Sequence, residues 1–133
     1  MSQGKILLVD DDVAVRLAVG LALTKAGYEV VKAVDGEEAI RLIEKDQNWA
    51  NVVTIICDLQ MAGMDGSQTM EYFQTHHPSI PLIILTGASV AVLTEVLQKR
   101  EMFEYLRKPV STDKLLETVR RAVSLGLLRK SQA

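Results

Sequence analysis

Residues 5–12 read KILLVDDD, a short apolar run that ends on three consecutive aspartates. The apolar run lacks polar alternation, which is typical of a strand covered on both faces of a sheet. Asp10, Asp11 and Asp12 follow directly where this strand is predicted to end. The sequence therefore predicts a buried strand that delivers a group of carboxylates to its carboxyl end.

Four further short runs rich in Val, Ile and Leu follow along the chain, and amphipathic stretches separate them. Strict alternation of five strand and helix units predicts an α/β fold with one parallel sheet and helices on both faces. Asp35, with Glu38 three residues later, predicts a capping box at the start of the second helix. The predicted strands cover residues 5–9, 28–33, 52–57, 81–85 and 103–107, and the predicted helices cover 13–26, 36–46, 66–76, 89–100 and 112–128.

Length and composition indicate one globular domain, since the chain has 133 residues, of which 48% are apolar and 24% charged. We expect its core at about 4–125 and a polar tail at 129–133. Acidic residues outnumber basic ones by 17 to 15, so direct nucleic-acid binding is not expected. A lone cysteine excludes an internal disulfide, and no apolar stretch has the length of a membrane span. These features predict a cytoplasmic protein without membrane contact.

Chemically active side chains follow four of the predicted strands. Asp10–Asp12 follow the first strand, Asp58 the third, Thr86 the fourth and Lys108 the fifth. In open parallel sheets the ligand crevice lies beyond the carboxyl ends of the strands. Carboxylates about 5 Å apart repel each other by roughly 3 kcal/mol at an effective dielectric of 20, and a hard divalent cation relieves this repulsion. The sequence therefore predicts a site for Mg²⁺, with Mn²⁺ as a second candidate ion, and a carboxylate that can act as nucleophile toward a phosphoryl group.

Four motifs resemble those of the receiver domains of bacterial two-component response regulators, the CheY-like family. They are VDDD at 9–12, DLQMAGMDG at 58–66, LTG at 85–87 and YLRKP at 105–109. The resemblance extends over about 4–125. It implies a flavodoxin-like (βα)5 fold with the strand order 2-1-3-4-5.

The resemblance also implies roles for the acidic residues. Asp58 is implied to be the phosphoacceptor. Asp11, Asp58 and the backbone carbonyl of Gln60 are implied to bind Mg²⁺ directly, and Asp10 to reach the metal through water. Asp12 is expected to be an ordinary acid in the first turn of the helix.

The other implied roles concern switching. Lys108 is implied to hold a phosphoryl oxygen and to precede Pro109 through a cis bond. Thr86 is implied to move toward the phosphoryl group while Tyr105 turns inward. These movements would change the face formed by the fourth predicted helix, the fifth strand and the fifth predicted helix, which is also a candidate contact between two copies of the chain.

The phosphodonor implied by the family is a sensor histidine kinase or a histidine phosphotransfer domain. Placing the residues of the first helix at 100° intervals turns Leu17 and Leu21 away from the core side, with Gly20 beside them. We expect these three residues to form the surface on which the donor docks.

The same residues are also compatible with other functions. A metal-dependent phosphatase would use an aspartate after the first strand, and Asp10 and Asp12 have the spacing for it. A binding module that is never phosphorylated is a second alternative. A flavin site is disfavoured because an acidic loop repels the flavin phosphate. The leading interpretation is a signalling module and not an enzyme with a separate substrate, present either alone or as part of a longer regulator.

Overall fold

The computed structural model describes residues 3–45, 50–59, 66–87 and 104–131, apart from the side chains of residues 67 and 129–131. Every pair of neighbouring strands in it is parallel, and the order β2-β1-β3-β4-β5 confirms the order implied by the family resemblance. The strands are β1 (Lys5–Val9), β2 (Glu29–Ala33), β3 (Val52–Asp58), β4 (Leu82–Thr86) and β5 (Glu104–Arg107).

Helices connect these strands and cover both faces of the sheet, as the sequence predicted. The C-terminal helix continues to Ser131, so the stretch predicted as a polar tail is helical over most of its length. The predicted helix at 89–100 lies outside the described residues. The described helices are α1 (Val13–Lys25), α2 (Gly36–Glu44), α3 (Gly66–His76) and the C-terminal helix (Thr112–Ser131).

Two apolar cores lie on opposite faces of the sheet. Leu7 faces the core that contains Phe73 of α3, whereas Ile6 faces the core that contains Leu23 of α1 and Val119 of the C-terminal helix. These five side chains are at most 1% exposed, and burying one such side chain contributes about 1.5–3 kcal/mol. This packing fixes both layers of helices against the sheet, and with them the position of every strand end.

Helix α1 differs from its predicted arrangement at one residue. Leu17 and Leu21 are 60% and 56% exposed, as expected. Gly20 is buried instead of forming part of their surface, because the side chain of Lys32 from β2 lies across it. A Cβ atom on Gly20 would be 2.8 Å from Lys32 Cε. The predicted docking surface is therefore corrected to the two leucines.

Asp35 is confirmed as the N-cap of α2, but the capping box is incomplete. Asp35 Oδ1 accepts from the backbone N–H of Glu38 at 2.8 Å, whereas Glu38 Oε1 accepts from that of Val34, one residue before the N-cap, at 2.9 Å. The first bond satisfies a donor that a helix start would otherwise leave unpaired. None of the described helices has both the length and the apolar character needed to cross a membrane.

Candidate functional site at the carboxyl edge of the sheet

The carboxyl ends of four strands place the candidate residues along one edge. Asp10 directly follows β1, and its backbone N–H donates to the carbonyl of Ala33 at 3.1 Å. Asp58 and Thr86 are the last residues of β3 and β4. Lys108 follows β5, and its backbone N–H donates to the carbonyl of Thr86 at 2.9 Å. The predicted convergence of these residues on one edge is therefore present.

Three carboxylates form a cluster at this edge. One oxygen each of Asp10, Asp11 and Asp58 lies within 4.8 Å of the other two. Asp10 is fully buried and Asp58 is 3% exposed, whereas Asp11 is exposed. The cluster is thus a mostly buried acidic pocket that opens to solvent on the side of Asp11.

Lys108 bridges the two buried carboxylates. Its Nζ lies 2.9 Å from Asp10 Oδ2 and 3.0 Å from Asp58 Oδ2. Burial by itself would lower the pKa of Lys108, but the two carboxylates more than offset it and raise the pKa above its ordinary value. In the part of the chain that the structure describes, the ion pairs of this cluster come from one ammonium against three acids, which leaves an excess of negative charge.

The two oxygens of Asp10 have different surroundings. Oδ1 accepts from the backbone N–H of Asp12 at 2.9 Å. Oδ2 is buried and lies 2.9 Å from the ammonium of Lys108, so an ion pair compensates its charge. A cation bound among the carboxylates would add to this compensation.

Asp12 does not belong to the pocket, as expected, but its structural role differs from the prediction. It is the N-cap of α1 and not a first-turn acid. Its Oδ1 accepts from the backbone N–H groups of Ala14 at 2.9 Å and Val15 at 3.3 Å. The third aspartate of the motif therefore starts the helix that follows the pocket.

Gly66 is a residue of the site that the sequence analysis did not single out. It begins α3, and a Cβ atom there would be 2.2 Å from the backbone oxygen of Asp58 and 2.5 Å from Leu59 Cα. Only glycine allows this close approach of α3 to the end of β3. Its position as the first residue of a predicted helix, at the end of the 58–66 motif, was the available signal.

The other predicted site residues have the following places. Thr86 is fully buried at the end of β4, and Tyr105 on β5 is 37% exposed. The bond between Lys108 and Pro109 is cis, as implied by the resemblance. Gln60 lies outside the described residues.

Comparison with known proteins places this geometry in a family. The family model described as response regulator receiver domain matches residues 6–120. GlrR, a transcriptional regulatory protein of Escherichia coli K12, is 36% identical over 114 residues, which are 86% of this chain and 25% of that protein. NtrC of the same strain, a DNA-binding transcriptional regulator, is 30% identical over 125 residues, 93% of this chain and 26% of that protein.

Solved structures agree with the sequence relatives. A receiver domain protein from Clostridium thermocellum has a TM-score of 0.84 at 28% identity, covering 94% of this chain and 98% of that one. The chemotaxis protein CheY4 of Vibrio cholerae has a TM-score of 0.82 at 28% identity, covering 91% of this chain and 99% of that one. The chain spans about a quarter of the length of the curated regulators it matches. With its sheet order, its acidic pocket and these matches, the chain belongs to the receiver domain family of two-component response regulators.

Proposed function

We propose that Asp58 is the phosphoacceptor of this receiver domain and that its phosphorylation requires Mg²⁺. The observation that carries the proposal is the position of the Asp58 carboxylate, 3.0 Å from the Lys108 ammonium and within 4.8 Å of oxygens of Asp10 and Asp11. Such a carboxylate has a cation beside it and a cluster of metal-binding oxygens around it. Both features favour transfer of a negatively charged phosphoryl group.

The donor set suits Mg²⁺. Carboxylate oxygens are the ligands that this hard cation prefers, and Asp10, Asp11 and Asp58 each offer one oxygen to the cluster. Asp11 and Asp58 would hold the ion directly, with the backbone carbonyl of Gln60 as a further ligand. When bound, Mg²⁺ neutralises charge on the phosphoryl oxygens.

The chemical step is a phosphoryl transfer from a phosphohistidine. A carboxylate oxygen of Asp58 attacks the phosphorus, the new P–O bond forms, and the P–N bond breaks with its electron pair remaining on the donor's imidazole. The Lys108 ammonium, released from its pair with the carboxylate, holds a phosphoryl oxygen. Water later attacks the phosphorus, which releases inorganic phosphate and restores the Asp58 carboxylate.

Asp58 is favoured over Asp10 as the nucleophile. Lys108 forms an ion pair with each carboxylate, but Asp10 uses its other oxygen to hold the backbone N–H of Asp12. A phosphatase would need Asp10 as its attacking group. The receiver family membership is consistent with the assignment to Asp58.

Labelling with acetyl phosphate tests the assignment. Wild-type protein should gain one phosphoryl group in the presence of Mg²⁺, measured by intact-mass spectrometry, and should gain none in EDTA. Asp58→Asn should abolish the label. Asp12→Asn is the matched control, because asparagine is an equally good N-cap and the residue lies outside the pocket. Labelling that survives in Asp58→Asn and disappears in Asp10→Asn would contradict the proposal.

The phosphodonor is proposed to dock on the exposed leucines of α1. Leu17 and Leu21 are one helical turn apart and are more than half exposed, which gives a partner helix an apolar stripe to contact. The stripe begins about one helical turn after Asp10–Asp12, so a helix docked there could bring its phosphohistidine to Asp58. A histidine kinase or a histidine phosphotransfer domain fits this geometry.

A double charge substitution tests the docking surface. Leu17→Glu with Leu21→Glu should slow phosphoryl transfer from the cognate donor and leave labelling by acetyl phosphate unchanged. Leu127→Glu with Leu128→Glu is the control, since those leucines are equally exposed on the C-terminal helix, at 62% and 59%. Equal slowing by both pairs would exclude a specific role for α1.

We further propose that Thr86 and Tyr105 transmit phosphorylation at the acidic pocket to the face formed by the fourth predicted helix, β5 and the C-terminal helix. Thr86 ends the strand beside Asp58, and Tyr105 lies on the next strand with part of its ring exposed. Phosphorylation should therefore reduce the solvent exposure of the Tyr105 ring, measured by nuclear magnetic resonance. An unchanged ring in the phosphorylated protein would contradict this part of the proposal.

A further inference from the structure

Arg16 makes an unusual contact at the edge of the acidic pocket. Its side chain leaves the first turns of α1, and Nη1 donates to the backbone carbonyl of Asp10 at 2.5 Å. Among the described residues it takes part in no ion pair, although three carboxylates lie nearby in the pocket. Its polar side-chain contact is thus with the backbone that carries the carboxylates.

The position of Arg16 on the helix makes this contact informative. A cation near the N-terminus of a helix is disfavoured by the helix dipole, and the acid that offsets this cost at the start of α1 is the N-cap, Asp12. A cation is therefore not what the helix start itself favours. The contact with the Asp10 carbonyl is therefore a reason for an arginine at this position that helix formation does not supply.

The contact completes a set of bonds around one residue, Asp10. The backbone N–H of Asp10 donates to Ala33, its Oδ1 accepts from the N–H of Asp12, and its carbonyl accepts from Arg16. Because a peptide unit is planar, fixing the direction of the Asp10 carbonyl also fixes the N–H and the Cα of Asp11 in the same plane. Rotation at Asp11 itself then sets the direction of its side chain from a fixed starting plane.

We infer that Arg16 is a positioning residue for the metal site: by holding the Asp10 carbonyl, it keeps the carboxylate of Asp11 close to those of Asp10 and Asp58. The inference rests on the proposed function, because it assigns Arg16 to the same Mg²⁺-dependent reaction. Arg16 touches neither the ion nor the phosphoryl group in this role. It acts through the shape of the loop.

Arg16 could act on the pocket directly through its charge or by positioning the loop, and these two roles predict opposite effects of its removal on the affinity for Mg²⁺. If its charge acts directly on the pocket, its removal takes a positive charge away and Mg²⁺ should bind more tightly. If it positions the loop, the carboxylates lose their convergence and Mg²⁺ should bind more weakly. Outer-shell partners of metal ligands commonly change affinity by 10- to 100-fold, and we expect a loss of about 10-fold for this site.

The experiment measures Mg²⁺ binding to the full chain by calorimetry, without a phosphodonor. Arg16→Met should weaken binding about 10-fold. Arg16→Lys keeps the charge and one donor, so it should restore part of the affinity. Lys25→Met is the matched control, because it removes the same charge from the far end of α1. Tighter or unchanged binding by Arg16→Met would overturn the inference.

Phosphorylation supplies a second readout. With acetyl phosphate, Arg16→Met should need about 10-fold more Mg²⁺ for half-maximal rate while reaching the wild-type rate at saturation. A lower rate at saturating Mg²⁺ with an unchanged requirement would also overturn the positioning role. A wild-type protein that neither binds Mg²⁺ nor becomes labelled would instead refute the proposed function, so the two failures are distinguishable.

Discussion

The ammonium of Lys108 forms ion pairs with two buried carboxylates at once. The loss of both pairs determines how far removal of Lys108 lowers the free energy of unfolding. Without the ammonium, Asp10 and Asp58 would remain buried side by side and each would lose an ion pair. Removing one partner of a fully buried ion pair costs about 3–5 kcal/mol. The Lys108 side chain is 24% exposed, so water can replace part of the interaction.

We predict that Lys108→Met destabilises the metal-free protein by about 2 kcal/mol, below the range for a fully buried pair. Saturating Mg²⁺ should restore most of this loss, because a bound cation then compensates the same carboxylates. The measurement is urea unfolding with EDTA and with Mg²⁺. An identical loss under both conditions would show that Lys108 and the metal do not share the pocket.

Two glycines provide a contrasting pair of substitutions. At Gly66 a Cβ atom would meet the backbone of Asp58 at 2.2 Å, whereas at Gly20 it would meet the end of the Lys32 side chain at 2.8 Å. Backbone cannot move away without shifting the strand end, but a lysine side chain can. Alanine also favours a helix over glycine by about 0.5–1 kcal/mol.

We predict that Gly66→Ala destabilises the fold by about 3 kcal/mol or more and slows labelling of Asp58. Gly20→Ala should instead be neutral or stabilising by up to about 1 kcal/mol, with labelling unchanged. Both variants are compared by urea unfolding and by acetyl phosphate labelling. A mild effect at Gly66 would mean that α3 does not need its close approach to β3.

At the scale of elements, the sequence predicted the strands well because each is a short run that contains apolar residues between amphipathic stretches, and β1, β3 and β4 are almost wholly apolar. The acidic pocket could be predicted for the same reason: Asp58 and Lys108 follow such runs directly. The burial of Gly20 could not, because it depends on a lysine from the neighbouring strand β2. Periodicity within α1 reports which way a residue points, but not which other element covers it.

The contact between the ends of α2 and α3 also could not be predicted from the sequence. His77 Nε2 and Glu44 Oε1 are 2.5 Å apart, and the two residues are 33 positions apart in the chain. In the sequence, His77 is only the residue before Pro78 at the end of a helix. The hydrogen bond from His77 lowers the pKa of Glu44 below its ordinary value, and partial burial opposes this shift.

We predict that this contact stabilises the fold only above acidic pH. Because the pKa of Glu44 is lower in the folded than in the unfolded chain, its contribution is complete above about pH 4.5 and is lost as the pH falls through the folded value. Its size is about 1 kcal/mol or less, since the Glu44 side chain is 42% exposed.

Urea unfolding from neutral to acidic pH measures this contribution. Glu44→Gln should be less stable than wild type at neutral pH, and the difference should shrink as the carboxyl becomes protonated. Glu37→Gln is the control, because Glu37 is exposed on the same helix and has no hydrogen bond or ion pair with the described residues. A difference that stays constant over the whole pH range would argue against the pair.

At the scale of the whole molecule, the acidic pocket joins segments that are distant in the chain. Asp10 and Asp11 directly follow the first strand, Asp58 comes from the middle of the chain and Lys108 from beyond the last strand. Metal binding at this pocket therefore requires the entire sheet to be folded. A ligand that binds only the folded chain stabilises it in proportion to the logarithm of its concentration.

We predict that Mg²⁺ raises the free energy of unfolding by about 1.4 kcal/mol for each tenfold increase above its dissociation constant, or about 2.7 kcal/mol at 100 times that constant. Asp11→Asn should remove most of this dependence and change the metal-free stability little, because Asp11 is exposed. Asp12→Asn should keep the full dependence. Thermal unfolding over a Mg²⁺ series measures all three proteins, and equal slopes for Asp11→Asn and wild type would place the ion elsewhere on the molecule.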